Sequence, residues 1–470
     1  MAEPTSEPHE PATESAPAPA RELVPPASLR RLSLLGALIG IPVGLVAFGF
    51  ITSVHYVEGW LWEDLPEALG TSTPPWYLVL GLPALGGVLV HVARMLPGDG
   101  GHSPIMGVAV GGNARPRDVW GVALAALATL PFGIVLGPEA PLIALGTIVA
   151  VWLTGWARLG PREGQVVGVA GAGAAMSTLF GGPLVSGLML LEGGVGAGAL
   201  VIPMLIPALA SSAVAYVLIT GLGTWSGLPM AGLAIVGLPE YRTVLVRDLV
   251  VAVVVGVLAA LLARSVRYAA TRLAQRESPT TRLPILVLGG LAVGGLALGA
   301  RALGADSQDV LFSGQASVGG LVTQTSAWTV LVLLVAKALA YTISLGAGFR
   351  GGPIFPAIFL GAALATFAVI AFDVSPTVAV AIGAAAGMTA MTRMVVAPVL
   401  FAGLLVGRDG VTSITVAVLG TVTAWLTSAA LDHQALRHER GVDADRAAVS
   451  TAPAGSALPG VTHHEEAEQP

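Results

Sequence analysis

The 470-residue sequence has no cysteine and few charged residues. The lack of cysteine excludes a disulfide framework, a thiolate nucleophile and a cysteine-based metal site. Only 11% of the residues are charged, whereas about a quarter are charged in an ordinary soluble domain. Because 54% of the residues are hydrophobic, this deficit of charge indicates an integral membrane protein.

Long stretches without charge support this interpretation. A helix that spans the hydrocarbon core of a bilayer needs about 20 mostly apolar residues. The uncharged stretch Gly193–Pro239 is long enough for more than one span. Other charge-free stretches of suitable length are Leu34–Ser53, Ala140–Ala157, Leu283–Ala300, Gly351–Phe372 and Gly410–Leu431. We therefore predict an all-α, multi-pass membrane protein with about ten to twelve apolar segments.

The two ends of the chain are polar. Residues 1–28 are rich in proline, alanine and glutamate and lack the pattern of a signal peptide, so they are predicted to be a disordered tail. Residues 433–470 are predicted to be a second, largely disordered polar tail, and neither tail is expected to hold a soluble regulatory domain. The pair His463 and His464 is interpreted as solvated, so no metal site and no cofactor are predicted.

Arginines beside the apolar segments predict the orientation. Arg30 and Arg31 precede the first segment, and Arg437 and Arg440 follow the last one. Cytoplasmic loops carry an excess of basic residues, so we predict an even number of crossings of the plasma membrane with both termini in the cytoplasm. The charge distribution gives no indication of a nucleic-acid partner.

The apolar region divides into two halves of similar length. We predict a first half over residues 29–221, a connection over 222–241 and a second half over 242–432. An offset of 211 carries Glu139 onto Arg350, and both residues lie at breaks rich in glycine and proline. Corresponding breaks in two halves are typical of a binding site near the middle of the membrane in transporters built of repeats.

Three such breaks stand out, at Pro97–Gly107, Gly137–Gly146 and Gly348–Pro356. A helix that begins at a break has unpaired N–H groups and a partial positive charge at its N-terminus, and several such ends directed at one point form an anion site. The second break contains a lone acid, Glu139. An acid inside the membrane is costly to bury and is a functional candidate for that reason.

These residues resemble motifs of the CLC chloride channels and chloride/proton antiporters over roughly Arg31 to Asp432. Gly137 to Pro141 is similar to the family motif G-[KR]-E-G-P, with Pro138 in the basic place. Gly352 to Pro356 is similar to G-x-F-x-P, and Ser177–Gly193 resembles a third family segment that ends at an acid, here Glu192.

The resemblance implies a homodimer in a lipid bilayer, with one anion pathway in each subunit and two inverted halves of short, tilted and broken helices. Glu139 matches the gating glutamate. The backbone N–H groups of Ile354 and Phe355 match those that bind the central anion, and Ala140 would offer its N–H to the outer site. The other residues of the two matched breaks would shape the helix starts: Gly137, Pro138, Pro141, Gly351, Gly352, Pro353 and Pro356.

The first break departs from the family motif G-S-G-x-P. One register puts Gly101 in the serine place and leaves no hydroxyl, whereas another makes Ser103 the hydroxyl donor, after Gly100 and Gly101. We favour Ser103 because it directly precedes Pro104 and can donate its O–H.

Two cations lie near the third break. Arg350 is open to three interpretations: it could raise the local potential for anions, pair with an acid or snorkel to the interface. Lys337, the only lysine, is expected to bind backbone carbonyls.

Two inner features of the proton-coupled members are missing. Ungapped matching puts Gly193 at the place of the inner proton-relay glutamate, and Glu192 lies one place before it. Glu192 is therefore open to two interpretations. It is a relay if the helix register shifts by one residue, or it is a structural acid at a helix end. The family usually has an inner-gate tyrosine at the end of its last span. In this sequence no tyrosine follows residue 341, so that tyrosine is missing.

We therefore predict transport of an anion, in the first instance chloride, that is uncoupled or weakly coupled to protons. The alternatives are a proton-coupled chloride or fluoride antiporter and, more distantly, a sensor or scaffold. The sequence has no H-E-x-x-H motif, and no enzyme is predicted.

Overall fold

The computed structural model describes residues 26–107, 115–156, 159–193, 201–226 and 234–451. These residues form helices joined by turns and short 3-10 or π segments, and no strand occurs among them. The α-helices are α1 Pro26–Gly59, α2 Leu65–Ala68, α3 Trp76–Ala93, α4 Val119–Leu127, α5 Glu139–Trp156, α6 Pro161–Leu179, α7 Pro183–Glu192, α8 Val201–Ser226, α9 Val246–Ala274, α10 Arg282–Ala302, α11 Ser307–Val310, α12 Val318–Val322, α13 Ala327–Gly346, α14 Ile354–Phe372, α15 Pro376–Thr392, α16 Val396–Val406 and α17 Gly410–Thr451.

The helices confirm the predicted all-α membrane class. Among the described residues, eight helices are long and apolar enough to cross a membrane, and three shorter apolar helices accompany them. Large apolar side chains such as Leu34, Leu38 and Leu288 are exposed on the surface. An α-helix satisfies its own backbone hydrogen bonds, which is why it tolerates the surrounding hydrocarbon.

Corresponding helices make corresponding contacts in the two halves. In the first half α1 packs against α8, and α6 packs against α5, α7 and α8. In the second half α9 packs against α17, and α15 packs against α14, α16 and α17 in the same way. Glu139 and Ile354, the first residues of α5 and α14, are 215 residues apart, and the starts of α6 and α15 have the same separation. The starts of these two pairs of helices are therefore four residues further apart than the offset of 211 that carries Glu139 onto Arg350.

The second half contains the most enclosed helices. Most of α14 and α15 is buried, and the two approach closely through glycines. A Cβ on Gly361 or Gly383 would overlap the backbone of the other helix. The N-terminus of α14 therefore lies well inside the protein.

Some predicted boundaries differ from the structure. The uncharged stretch Gly193–Pro239 holds a single long helix, α8, in its described part, and α8 extends to Ser226 into the predicted connection. The predicted disorder over residues 433–470 is wrong as far as Thr451, because α17 continues to that residue. This extension is polar but contains no proline before Pro453 and is rich in alanine and arginine, which are good helix formers. Residues 1–25 and 452–470 lie outside the described part.

Candidate functional site

Two of the predicted breaks meet as a pair of backbone hydrogen bonds. The Gly137 N–H donates to the Gly352 carbonyl at 2.8 Å, and the Gly352 N–H donates to the Gly137 carbonyl at 2.6 Å. This isolated antiparallel bridge joins the segment before α5 to the segment before α14. It satisfies backbone groups that the breaks leave unpaired deep in the protein, as burial requires, and it brings the N-termini of the two helices together.

Other contacts hold the segment before α5 in place. The Val135 N–H donates to the Ser344 hydroxyl of α13 at 3.1 Å. The Gly133 carbonyl accepts from the Phe312 N–H at 3.3 Å. The segment is therefore fixed by residues from the second half of the chain on both sides, although it belongs to the first half.

The glycines of the bridge are required by the side chain of Glu139. A Cβ on Gly352 would overlap the Cδ of Glu139, and a Cβ on Gly137 would overlap its Oε2. Gly351 is tight as well, since its Cβ would lie 2.6 Å from the Cβ of Leu136. The space beside the bridge is thus occupied by the glutamate itself.

Glu139 is completely buried at the N-terminus of α14. Its Oε1 accepts a hydrogen bond from the Ile354 N–H, and the Phe355 N–H interacts with the same carboxylate. Its Oε2 has no hydrogen-bond partner among the described residues. Unpaired N–H groups and the helix dipole favour negative charge at such an end. The Glu139 carboxylate therefore lies where backbone N–H groups and the helix end favour negative charge.

The remaining predicted residues of the breaks before α5 and α14 lie near Glu139 and Ile354 along the chain. Ala140 is half-buried in the first turn of α5, and the Pro138 carbonyl accepts the Leu142 N–H at 3.1 Å. Pro141 and Pro356 lie in the first turns of α5 and α14, where a proline costs no helical hydrogen bond. Pro353 precedes α14 and accepts a hydrogen bond from Tyr341, described next.

Aromatic side chains pack beside the site, and of these only Phe355 was expected from the sequence, for its backbone N–H. The Tyr341 hydroxyl of α13 donates to the Pro353 carbonyl at 2.6 Å. Phe355 stacks on Phe180 with ring centroids 5.6 Å apart, and both rings contact Phe401 edge-on. These side chains are all buried. The only available signal was that they are large aromatics next to breaks, which is equally typical of an ordinary core.

Ion pairs connect the first break to the third. Asp99 pairs with Arg94 and Arg350, each at 2.9 Å, and with Arg282 at 3.4 Å. Arg94 also pairs with Glu277 at 2.7 Å. Of the three interpretations of Arg350, pairing with an acid agrees with this geometry. Burial raises the pKa of Asp99, but hydrogen bonds from Arg94 and the charges of the three arginines outweigh burial and hold the pKa below its usual value.

The lysine and the glycine motif of the first break have structural contacts. The Lys337 ammonium donates to the carbonyls of Asp309, Val310 and Leu311, which agrees with the expectation that it binds backbone carbonyls. Gly100 and Gly101 have φ angles of 71° and 94°, in the region that favours glycine. Gly100 packs against the side-chain stems of Arg94 and Arg350. These glycines therefore shape the loop that carries the ion pairs.

Ser103 is half-buried and directly precedes a short 3-10 turn, Pro104–Met106. Its hydroxyl makes no hydrogen bond within the described part of the chain, and no hydrogen bond joins it to Glu139. The structure therefore does not bring Ser103 into contact with the pair of Glu139 and Ile354, and its role as an anion ligand stays a prediction.

Glu192 caps a different helix. Its two oxygens accept the N–H groups of Val395, Val396 and Ala397 at 2.6–3.2 Å, at the start of α16. Of the two interpretations left open by the sequence, this geometry agrees with the structural acid at a helix end. The capped helix belongs to the second half of the chain, so the sequence around Glu192 could not identify it.

The sequence model for the voltage gated chloride channel family matches residues 87–429. The chain belongs to this family. A curated relative, the "Putative ion-transport protein YfeO" of Salmonella newport (strain SL254), is 27% identical over 348 residues, which are 71% of this chain and 79% of the relative. The family comprises transporters and channels, so membership identifies the chain as a CLC anion-transport protein.

Solved CLC structures have the same fold. A slow cyanobacterial Cl⁻/H⁺ antiporter superimposes with a TM-score of 0.66 at 18% identity, over 85% of this chain and 95% of the other. A CLC-type fluoride/proton antiporter superimposes with a TM-score of 0.65 at 20% identity, over 86% and 97%. The predicted CLC-like architecture is thereby confirmed. Similarity at this level of identity concerns the fold alone.

Proposed function

We propose that the protein transports a small inorganic anion, in the first instance chloride, and that Glu139 is the gate. The observation that carries this proposal is the buried Glu139 carboxylate at the N-terminus of α14, bound to the Ile354 N–H. When this carboxylate is protonated it loses its negative charge, and when it moves away it leaves the N–H groups of Ile354 and Phe355 unpaired. Either change gives a free anion access to the position.

We also propose that transport is uncoupled or weakly coupled to protons. An inner relay needs a carboxyl group that is free to gain and lose a proton. The Glu192 carboxylate accepts four hydrogen bonds from three backbone N–H groups, and protonation would weaken them. Gly193, at the matching place of the family motif, has no side chain to replace it.

A proton-coupled antiporter of chloride or fluoride is the second candidate. It is favoured by the solved relatives of the same fold, which are described as Cl⁻/H⁺ and fluoride/proton antiporters. A sensor or scaffold without transport would not need a carboxylate at the N-terminus of α14. The resemblance further suggests a homodimer with one pathway per subunit in the plasma membrane and both termini in the cytoplasm.

Flux from liposomes distinguishes these functions. Purified protein is reconstituted with chloride or fluoride inside, and anion efflux is recorded together with the pH of the bath. Anion efflux without stoichiometric proton movement is the expected result. Stoichiometric proton movement would favour the antiporter and would require that Glu192 or another acid relay the protons. No flux of either anion would contradict the proposal.

A further inference from the structure

The backbone groups that lead into α14 are paired with partners from outside that helix. Both groups of Gly352 are bound in the bridge described above. Pro353 has no N–H, and its carbonyl accepts a hydrogen bond from the Tyr341 hydroxyl at 2.6 Å. The next N–H, that of Ile354, donates to Oε1 of Glu139. Burial makes such partners necessary, but it does not determine which side chains supply them.

Tyr341 and Glu139 bind opposite ends of a single peptide group. The Pro353 carbonyl and the Ile354 N–H belong to one planar unit. In the trans form, which nearly all peptide groups adopt, the C=O and N–H bonds point in opposite directions. The Tyr341 hydroxyl therefore fixes the direction in which the Ile354 N–H points, although it binds the other end of the group.

The same hydrogen bond also polarises the peptide group. Donation to the carbonyl oxygen draws electrons toward that oxygen, so the N–H of the group becomes a better donor. Hydrogen bonds in such a chain strengthen one another by about 10–30% per bond, and bonds to charged acceptors are the strongest. Tyr341 thus strengthens the Ile354 N–H as a donor to any anion that this N–H meets, without contacting the anion itself.

The hydroxyl of Tyr341 is held for this single contact. The side chain is completely buried, and its hydroxyl makes no other hydrogen bond within the described ranges. One turn further along α13, the Ser344 hydroxyl accepts the Val135 N–H at 3.1 Å. Two side chains of α13 therefore fix the break before α5 and the break before α14 relative to each other.

A helix that begins after a proline does not need a hydroxyl from another helix. The carbonyl of the residue before a helix ordinarily accepts the first N–H of that helix. At the start of α5 the Pro138 carbonyl accepts the Leu142 N–H in this way, at 3.1 Å. The Tyr341 hydroxyl at the Pro353 carbonyl is therefore not explained by the requirements of helix initiation.

We propose that Tyr341 is a positioning residue for anion binding, because its hydroxyl orients and polarises the peptide group whose Ile354 N–H binds the anion. The inference rests on the proposed function. The strengthened N–H serves the Glu139 carboxylate and a free anion alike. Tyr341 therefore raises the affinity of the position at the N-terminus of α14, whichever of the two occupies it.

The test measures the half-saturating chloride concentration of flux from liposomes in two backgrounds. Y341F removes only the hydroxyl. In E139Q, whose neutral side chain competes weakly, Y341F should raise this concentration about two- to fivefold, as loss of the strengthening of a hydrogen bond to a charged group implies. In the parent protein the Glu139 carboxylate and chloride are weakened together, so the change should be clearly smaller.

Thr342, the next residue of α13, provides a matched control. Its hydroxyl donates to the Ala338 carbonyl of its own helix at 2.8 Å, so T342V should leave the half-saturating concentration unchanged in both backgrounds. If Tyr341 had a structural role alone, Y341F would change this concentration by the same factor with and without E139Q. Equal factors, or equal effects of Y341F and T342V, would overturn the proposal while leaving the gate at Glu139 intact.

Replacement of Tyr341 by 3-fluorotyrosine provides a second variant with the opposite expected sign. The fluorinated phenol is a stronger hydrogen-bond donor of nearly the same shape. In E139Q it should lower the half-saturating chloride concentration, whereas Y341F raises it. A loss of folding would not produce opposite shifts, and a shift in the same direction as that of Y341F would contradict the proposal.

If the parent protein carries no flux of any anion, the proposed function fails, but the effect of Tyr341 on the peptide group is still measurable. Labelling with carbonyl-¹³C proline and ¹⁵N isoleucine selects Pro–Ile peptide groups in nuclear magnetic resonance, and the sequence has three, ending at Ile105, Ile285 and Ile354. The Ile354 signal is identified by its loss in I354V. Its proton shift should move upfield in Y341F and stay in place in T342V. An Ile354 signal unchanged by Y341F would overturn the proposal, whether or not the protein transports anions.

Discussion

Gly137 and Gly352 each donate a backbone hydrogen bond to the other's carbonyl, so the breaks before α5 and α14 form a single unit. The bridge joins the two halves of the chain at the site and leaves Glu139 of one half on the N-terminus of a helix of the other. Glu139 and the N-terminus of α14 are thus held together by backbone contacts that depend on side-chain identity only through the need for glycine at positions 137 and 352.

The space beside the bridge can be probed by G352A. The added Cβ would overlap the Glu139 side chain, so we expect G352A to lower the thermal stability of the parent protein clearly, within the range of about 1–3 kcal/mol given for overpacking. In an E139A background the overlap is absent and the effect should be much smaller. Residues in contact show such non-additivity in double-mutant cycles.

Gly295 of α10 offers a matched control, because a Cβ there meets no atom within 4 Å. G295A should have the same small effect in both backgrounds. Equal destabilisation by G352A with and without E139A would show that Glu139 does not occupy the space beside Gly352.

The Phe355 N–H can be removed without breaking α14. Proline is tolerated in the first turn of a helix, so F355P should keep the helix but lose one proposed anion donor. We expect a rise in the half-saturating chloride concentration of about tenfold or more, since a hydrogen bond to a charged group contributes roughly 1.5–3 kcal/mol. F355A also removes the ring that packs on Phe180 but keeps the N–H. If F355P and F355A have the same chloride affinity in calorimetry, the N–H is not a ligand.

Truncation of Glu192 should affect stability more than proton coupling. E192A leaves the N–H groups of Val395, Val396 and Ala397 without their acceptor, and loss of such a helix cap costs about 0.5–2 kcal/mol. Thermal unfolding should report this loss, while the ratio of protons to anions in liposome flux should be unchanged. A lower proton ratio in E192A, or in the milder E192Q, would instead identify Glu192 as a relay.

Asp99 should make stability depend on pH in the acid range. Its pKa in the folded protein is held below the usual value by Arg94 and the neighbouring arginines. The ion pairs therefore contribute stability at pH values above the ordinary aspartate pKa of about 3.9, and this contribution is lost as the pH falls through the lower folded pKa. The difference in melting temperature between the parent and D99N should be constant above about pH 5 and shrink below it. A difference that persists undiminished at the lowest pH would contradict this role.

Local patterns predicted the parts of the site that depend on composition. The low charge indicated the membrane, and the proline and glycine breaks located the starts of α5 and α14 within a few residues. Glu139 stood out because it is a lone acid in an apolar region. These features follow from the cost of burying charge and broken backbone in lipid.

Contacts between distant segments were beyond the sequence. Nothing local to Glu192 indicates that its partners are the N–H groups of residues 395–397, and nothing near Asp99 identifies three arginines as its neighbours. The continuation of α17 to Thr451 was missed because polarity was read as disorder, although the residues there favour helix.

Chloride efflux from liposomes, recorded over a range of pH for the parent protein and E139Q, tests the gate most directly. E139Q carries a neutral side chain of almost the same shape. The parent should transport faster as the pH falls, because protonation removes the competing negative charge, whereas E139Q should transport at a rate independent of pH. E67Q, at an exposed acid far from the site along the chain, should behave as the parent. If E139Q keeps the pH dependence of the parent, Glu139 is not the gate.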